Sequence, residues 1–229
     1  NVAGLMQGSV LSPILYAAFI DALPGKLREY SSSMLGGIRN ASFFYADDIA
    51  LLCDDKAQLK AMLAACEAFS RELGFQFSPS KCEIVGPPDG DYADCCLYGQ
   101  PLKSSQSFIY LGVTFTLSGI DPVAHVSRNA TKAIDSINMM RLIGCHGWGF
   151  AISVRRRIYE TFVRPKLEYG LQLLEPSGAV LRILERVQYQ ALCAMFSVSR
   201  NTSRAALHAL TGIQSMKLRV WELNAMWQA

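Results

Sequence analysis

The segment FFYADDIALLC, residues 43–53, places two adjacent carboxylates, Asp47 and Asp48, between two short apolar runs. Apolar strands seldom carry paired negative charge, and Asp favours turns because its side chain bonds to nearby backbone. The segment therefore predicts a β-hairpin with both carboxylates at its tip. Taken alone, such a tip is a common polar turn, so a functional role has to come from the rest of the chain.

The composition is typical of a folded globular protein. Of the 229 residues, 51% are hydrophobic and 18% are charged, which excludes a disordered polyelectrolyte and allows one or two domains. The longest apolar run, residues 10–24, contains Ser12, Pro13 and Asp21. It is shorter than the roughly 20 uninterrupted residues of a membrane span, and it predicts a buried helix.

The cysteines and the distribution of charge limit which kinds of site and binding partner the protein can have. Seven cysteines without a C-x-x-C pair argue against a zinc site and indicate a reducing compartment. The net charge of +3 is mild, but arginines concentrate in the C-terminal half. They predict either a surface for a polyanion or a solvated helix face.

The pattern of elements predicts an α+β fold with a boundary near Gly119. Residues 1–118 alternate helices with short strands, and residues 119–229 carry only helical periodicity. In the first part we expect a helix over residues 13–28, a loop over 31–37, and a helix from Asp54 or Asp55 to Gly74. Strands are expected at residues 75–77, 82–86 and 107–119, with a hairpin turned at residues 98–102. In the second part helices are expected over residues 121–144, 153–174 and 177–198, the middle one kinked or restarted at Pro165.

Four motifs occur in a fixed order: QGSVLSP (7–13), FYADD (44–48), GFQFSPSKCEIV (74–85) and YLG (110–112). Each is weak alone, and the ordered set is specific. It resembles the second half of a reverse transcriptase of the non-LTR (LINE-type) retrotransposons. Residues 157–174 also look like the thumb region of these enzymes. The resemblance implies a partial polymerase palm, an antiparallel sheet with packed helices, over residues 1–118. It implies a helical thumb or connection region over residues 119–229.

The resemblance implies RNA-directed DNA polymerase activity, with an RNA template, a DNA primer and deoxynucleoside triphosphates as partners. Nucleotidyl transfer uses two divalent ions, which need fixed oxygen ligands. The family assigns the role of principal Mg²⁺ ligand to Asp47 and an assisting role to Asp48, with Mn²⁺ as a possible substitute. Two carboxylates this close repel one another unless cations neutralise them.

The other motifs have roles by the same resemblance. Gln7, Gly8 and Ser9 flank the incoming nucleotide and the template base, and a glycine here allows close backbone approach. Tyr45 lies against the primer end, and Lys81 lies near the triphosphate as a possible general acid. The primer grip consists of Tyr110, Leu111 and Gly112. The contacts to the nucleic-acid backbone come from Arg155, Arg156, Arg157, Arg164 and Lys166. Simpler interpretations are a glycine loop before a helix, a solvated lysine on a strand edge, and a core strand at FIYLGVTF.

One metal-binding Asp of palm-type polymerases lies upstream of the QGS segment, and the chain begins six residues before Gln7. We therefore expect the 229 residues alone not to polymerise, with fingers and any endonuclease domain outside them. Two alternatives stay open: a decayed or co-opted polymerase domain that only binds nucleic acid, and a structural α/β protein with a chance Asp pair. We expect a nuclear or cytoplasmic location, of which the family implies the nuclear one, and no secreted or membrane form.

Overall fold

The structure is a computed structural model that describes residues 8–30, 34–35, 37–40, 42–146, 149–175 and 177–228. The chain divides into two compact units. The first is Asn1–Leu111 with Phe115–Ser118, and the second is Gly112–Thr114 with Gly119–Ala229. The mixture of helices with short strands agrees with the α+β class. The assignment of the units to a palm and a thumb stays a prediction.

Within the described ranges, the first unit combines helices with short strands. Its helices are α1 (Ser12–Ile20), α2 (Ala22–Arg28) and α3 (Lys56–Leu73). Its strands are β1 (Met34–Leu35), β2 (Ile38–Arg39), β3 (Ser42–Tyr45), β4 (Asp48–Leu51), β5 (Glu83–Ile84), β6 (Cys96–Leu97), β7 (Gln100–Pro101), β8 (Lys103–Ser104) and β9 (Ser107–Tyr110). β10 (Val113–Thr116) is shared between the units, and β11 (Gly119–Ile120) begins the helical one.

The single antiparallel sheet that the sequence predicts does not form among the described residues. The strands instead pair as β1–β2, β3–β4, β6–β7 and parallel β5–β8, with β11–β10–β9 as a three-stranded sheet. Turns interrupt the chain so often that strands are two to four residues long, and such short ladders cannot support a broad sheet. The predicted strand at residues 75–77 is irregular backbone, and part of the predicted loop over 31–37 is β1.

The predicted helix over residues 13–28 is two helices, because the chain breaks at Asp21 between α1 and α2. The first helix begins at Ser12, with Leu11 at the N-cap position, and no side chain caps it. The expectation of a buried helix is also wrong for α1, where Ile20 is its one buried residue. An even apolar composition does not specify a buried face, so packing alone decides which side is covered.

Helix α3 confirms its prediction. Asp55 is the N-cap, with its Oδ1 accepting from the backbone N–H of Gln58 at 2.8 Å. Gly74 ends the helix in the left-handed conformation, at φ 73°, where glycine carries no Cβ penalty. The apolar face packs into the core through Met62, Cys66 and other buried side chains.

The second unit is helical after β11. Its helices are α4 (Pro122–Leu142), α5 (Ile152–Ile158), α6 (Arg164–Glu168), α7 (Gly178–Phe196), α8 (Arg204–Thr211) and α9 (Met216–Gln228). A π-helical turn, Tyr159–Val163, separates α5 from α6, and Pro165 lies in the first turn of α6, which agrees with the predicted restart. α8 and α9 were not predicted. No helix within the described ranges is long and apolar enough to cross a membrane.

Candidate active site

The predicted hairpin is confirmed, and its register defines the position of the two carboxylates. In the β3–β4 ladder Tyr45 lies opposite Asp48 and Phe44 opposite Ile49, so the loop consists of two residues, Ala46 and Asp47. Ala46 has φ 52°. A positive φ at the first residue of a two-residue hairpin loop is a feature of the primed turns, whose twist matches that of the strands. Asp47 is therefore a loop residue and Asp48 the first residue of the return strand.

Both carboxylates are exposed, and the structure pairs neither with a cation among the residues it describes. The negative charges of these carboxylates raise the pKa values of two tyrosines in the same unit. Burial raises the pKa of Tyr16, and the negative charge of Asp47 raises it further. Burial likewise raises the pKa of Tyr110, with a smaller contribution from Asp48. Tyr16 on α1 was missed by the sequence analysis, because an electrostatic interaction between distant segments leaves no local pattern.

The QGS segment is described only in part. Gln7 lies outside the described residues. Gly8 has φ 87° and open space around the position of a Cβ, so it needs glycine for its backbone conformation rather than for room. The Ser9 hydroxyl accepts from the N–H of Leu11 at 3.4 Å, next to the first turn of α1. Their contacts to a nucleotide stay predictions.

The simpler interpretation of the sequence placed Lys81 on a strand edge, and the structure does not. It ends a short 3₁₀ turn, Pro79–Lys81, directly before β5. The side chain is exposed, and the described residues give it no ion pair. It is therefore accessible to an anion, and its role stays a prediction.

The YLG motif forms the turn between β9 and β10. Tyr110 ends β9 and Val113 begins β10, which leaves Leu111 and Gly112 as the two loop residues. Both have positive φ, 48° and 76°, the pattern of a type I′ turn. A leucine is unusual in this conformation, because its Cβ approaches the following carbonyl.

The predicted backbone-binding cations differ in accessibility. Arg155 is 8% exposed, and its guanidinium donates to the carbonyls of Phe150, at 2.7 Å, and Met195, at 3.2 Å. This burial argues against the predicted phosphate contact, because the guanidinium already donates to two backbone carbonyls and is covered by the fold. Arg164 lies between Glu160, at 3.6 Å, and Glu168, at 3.3 Å.

Three members of the set remain at the surface. Arg156 pairs with Glu160 at 3.1 Å, and Lys166 donates to the Ser136 hydroxyl at 2.6 Å. Arg157 is exposed and has no partner within the described residues. Surface pairs of this kind are weak, so all three can still meet a phosphate.

The helical unit also holds a cation-lined cavity of about 260 Å³. Arg141, His146 and Arg200 contribute its basic side chains, with Gln190 and Ser197 beside them. The sequence analysis noted the arginines of the C-terminal half but did not bring Arg141 and Arg200 together. Because 59 residues separate these two arginines in the chain, only the fold brings them together.

The donor set can be compared with what a divalent ion needs. Asp47 and Asp48 offer exposed carboxylate oxygens, the ligand type that Mg²⁺ prefers. In the described part of the chain, no group of three or more His, Cys, Asp or Glu side chains could hold a metal ion. The hairpin tip thus fits as a partial ligand set.

Comparison with known proteins gives the class. The reverse transcriptase (RNA-dependent DNA polymerase) family matches residues 1–115. This match covers half of the chain and contains all four motifs. The chain therefore belongs to the reverse transcriptase family, and its relatives place it with the enzymes of non-LTR retrotransposons.

The curated relatives reported below are proteins of retrotransposable or mobile elements. The Retrovirus-related Pol polyprotein from type-1 retrotransposable element R2 of Popillia japonica is 26% identical over 95% of this chain and 37% of the relative. The Putative 115 kDa protein in type-1 retrotransposable element R1DM of Drosophila melanogaster is 24% identical over 94% of this chain and 21% of its own length. The RNA-directed DNA polymerase from mobile element jockey, also of Drosophila melanogaster, is 26% identical over 75% of this chain and 19% of its own length.

The chain thus spans between about a fifth and two fifths of these three relatives. No solved structure gives a significant match.

Proposed function

We propose that the chain carries the metal-binding hairpin of an RNA-directed DNA polymerase that extends a DNA primer on an RNA template. The observation that carries this proposal is the β3–β4 register, which places Asp47 in an exposed two-residue loop and the exposed Asp48 directly after it, at the start of the return strand. Membership of the reverse transcriptase family supports it. A chance polar turn would require neither the adjacent pair nor the three accompanying motifs.

In this proposal, Asp47 and Asp48 bind Mg²⁺ through their carboxylate oxygens. Two such ions, when bound, stabilise the attacking 3′ hydroxyl and the leaving pyrophosphate. The short loop fixes the two carboxylates relative to each other, so little reorganisation is needed on binding. A third carboxylate ligand is proposed to come from residues upstream of Gln7, since the described part of the chain offers no group of three.

The remaining motifs are proposed to position the substrates. Gly8 and Ser9, with Gln7, lie against the incoming nucleotide and its template base, and Tyr45, at 63% exposure, is accessible to the primer end. Lys81 is proposed to face the triphosphate and protonate the leaving pyrophosphate.

The second unit is proposed to hold the duplex through phosphate contacts, which fix position without reading sequence. The exposed side chains of Arg157, Arg156 and Lys166 are the proposed contacts from the predicted set. Arg155 is left out because its guanidinium is buried. The cavity lined by Arg141 and Arg200 offers further cations within the same unit.

The test uses a protein that carries this chain together with the residues encoded in frame before Asn1. Mg²⁺-dependent primer extension on an RNA template is measured for the parent protein and for Asp47→Asn. We expect the rate to fall about 100-fold or more, which corresponds to roughly 3 kcal/mol of transition-state stabilisation. Asp89→Asn, an exposed carboxylate of the same unit, is the matched control and should leave the rate within about twofold. Full activity of Asp47→Asn would exclude the proposed role.

The 229-residue chain alone is proposed to be inactive, because groups that act as a catalytic unit lose most of the rate when one is missing. Detectable Mg²⁺-dependent extension by this chain would contradict that expectation. A filter-binding titration with and without Mg²⁺ distinguishes the proposed polymerase from the alternative of a co-opted scaffold. Such a scaffold would bind duplex without metal dependence and with steep salt sensitivity.

A further inference from the structure

The loop glycine of the YLG turn is surrounded by contacts from its own compact unit. The Arg128 guanidinium on α4 donates to the carbonyl of Gly112. The ring of Tyr169, directly after α6, lies against the same glycine: a Cβ at Gly112 would come within 2.9 Å of the Tyr169 Cε1 atom. The backbone of Gly112 is therefore held from one side by a hydrogen bond and from the other by an aromatic ring.

Two buried polar side chains fix Tyr169 in turn. His125 and Asn129, both on α4, approach the Tyr169 carbonyl at 2.8 and 2.9 Å. Because a carbonyl can only accept, His125 donates from Nε2 and Asn129 donates from Nδ2. The His125 side chain is fully buried and Asn129 nearly so. Burial lowers the pKa of His125, and the hydrogen bond to the Tyr169 carbonyl opposes this with a smaller effect.

Gly170 explains why the histidine can come so close. It has φ 78°, and a Cβ at this position would lie 2.8 Å from the His125 Nε2 atom. The backbone after Tyr169 can therefore approach α4 only with glycine at this position. The network is only partly paired, because His125 Nδ1 and Arg128 Nε are buried without a hydrogen-bond partner among the described residues. The hydrogen bonds that do form lie in a buried, low-dielectric setting, where each holds the groups it joins more strongly than in water.

This set of contacts is costly to maintain if Gly112 has no special task. Two polar side chains are buried, two glycines are required, and the neighbouring Leu111 holds a conformation that L-residues rarely adopt. Strain of this kind persists only where the surroundings determine it, and it concentrates at sites that bind. Every contact to Gly112 described above lies within the second unit.

We propose that His125, Arg128, Asn129 and Tyr169, here called the Gly112 support, are positioning residues that hold the YLG turn in the shape that engages a primer 3′ end. Arg128 acts on the turn directly, and the other three act through the ring of Tyr169. This inference rests on the proposed function, because it takes the YLG turn as the part that meets the primer.

The first measurement tests the support without reference to function. Hydrogen exchange of residues 107–116 is compared in the 229-residue chain for wild type, Arg128→Met and Lys132→Met. Lys132 is an exposed cation one turn further along the same helix, so both variants remove one positive charge from α4. We expect exchange about tenfold faster in Arg128→Met, as the loss of a charge-assisted hydrogen bond implies, and unchanged exchange in Lys132→Met. Unchanged exchange in Arg128→Met would overturn the support.

The second measurement tests positioning. Fluorescence anisotropy compares an RNA–DNA duplex that has a recessed DNA 3′ end with a blunt duplex of equal length. The lost charge should weaken both duplexes equally in Lys132→Met, whereas Arg128→Met should also lose most of the preference for the recessed end. Arg128→Lys, which keeps a donor, should restore part of that preference. If Arg128→Met exchanges faster but keeps the full preference for the recessed end, the Gly112 support has only a structural role. That outcome would overturn the proposal.

If the proposed function itself is wrong, the anisotropy measurement on the wild-type chain already shows it. If wild type shows no preference for the recessed end, primer holding by the YLG turn is refuted, and the positioning role falls with it. The exchange comparison still decides whether Arg128 holds the turn.

Discussion

Replacing Ala46, in the turn of the hairpin that carries the two carboxylates, with glycine should raise the free energy of unfolding. Ala46 has φ 52°, and an L-residue in the left-handed region costs about 1–2 kcal/mol. Glycine removes this cost but adds about 0.5–1 kcal/mol of chain entropy to the unfolded state. We therefore expect Ala46→Gly to stabilise the chain by about 0.5–1 kcal/mol. That gain corresponds to a rise of about 1–4 °C in melting temperature for a chain of this size.

The matched control is the same substitution four residues later. Ala50 lies inside β4 opposite Phe43, where its φ is not positive, and glycine in a strand interior destabilises by about 0.5–1 kcal/mol. Urea unfolding of the 229-residue chain should therefore move in opposite directions for the two variants, about 1–2 kcal/mol apart. Hydrogen exchange over residues 42–51 locates both effects in the hairpin. If Ala46→Gly lowers the free energy of unfolding as much as Ala50→Gly, the turn assignment is wrong.

Three further perturbations test the fold. Leu184→Ala removes a fully buried side chain of α7 and should lower the free energy of unfolding by about 2–5 kcal/mol, whereas Leu142→Ala, at 81% exposure, should change it by less than about 0.5 kcal/mol; equal losses in urea titrations would contradict the assigned core. Asp55→Ala removes the cap of α3 and should lower the free energy of unfolding by about 1 kcal/mol, with Asp55→Ser close to wild type; an unchanged midpoint for the alanine variant would exclude capping. His125 has its pKa lowered by burial from 6.5, so the unfolded chain binds more protons and stability should fall as pH drops below about 6.5. His125→Gln should flatten this part of the stability profile, and an identical pH dependence would show that another group titrates there.

The sequence predicted the elements whose signals are local. The β3–β4 hairpin follows from an Asp pair between apolar runs, and α3 follows from its apolar periodicity together with Asp55 and Gly74 at its ends. Each of these signals acts within a few residues, so tertiary packing has little opportunity to override it. The motif order identified the family for the same reason, since it depends on the chain alone.

Tertiary relations were not predictable in this way. The prediction that α1 is buried was wrong, because a uniformly apolar helix does not specify which of its sides is covered. Arg155 looked like its neighbours in the sequence, yet the fold buries it against the Met195 carbonyl, 40 residues away. The contacts between Tyr169 and α4 also span 40 or more residues. No pattern within one segment can indicate such pairs.

The π-helical turn Tyr159–Val163 affects how this chain should be aligned with its relatives. A single π turn accommodates one extra residue in a helix, and each residue of an α-helix rotates the chain by about 100°. Side chains after the turn therefore face a direction displaced by about that angle from the one that an ungapped helix would predict. An alignment that treats residues 152–168 as one regular helix would compare Arg164 and Lys166 with residues on a different face in a relative that lacks the turn. For this segment, a one-residue gap is the structurally consistent choice.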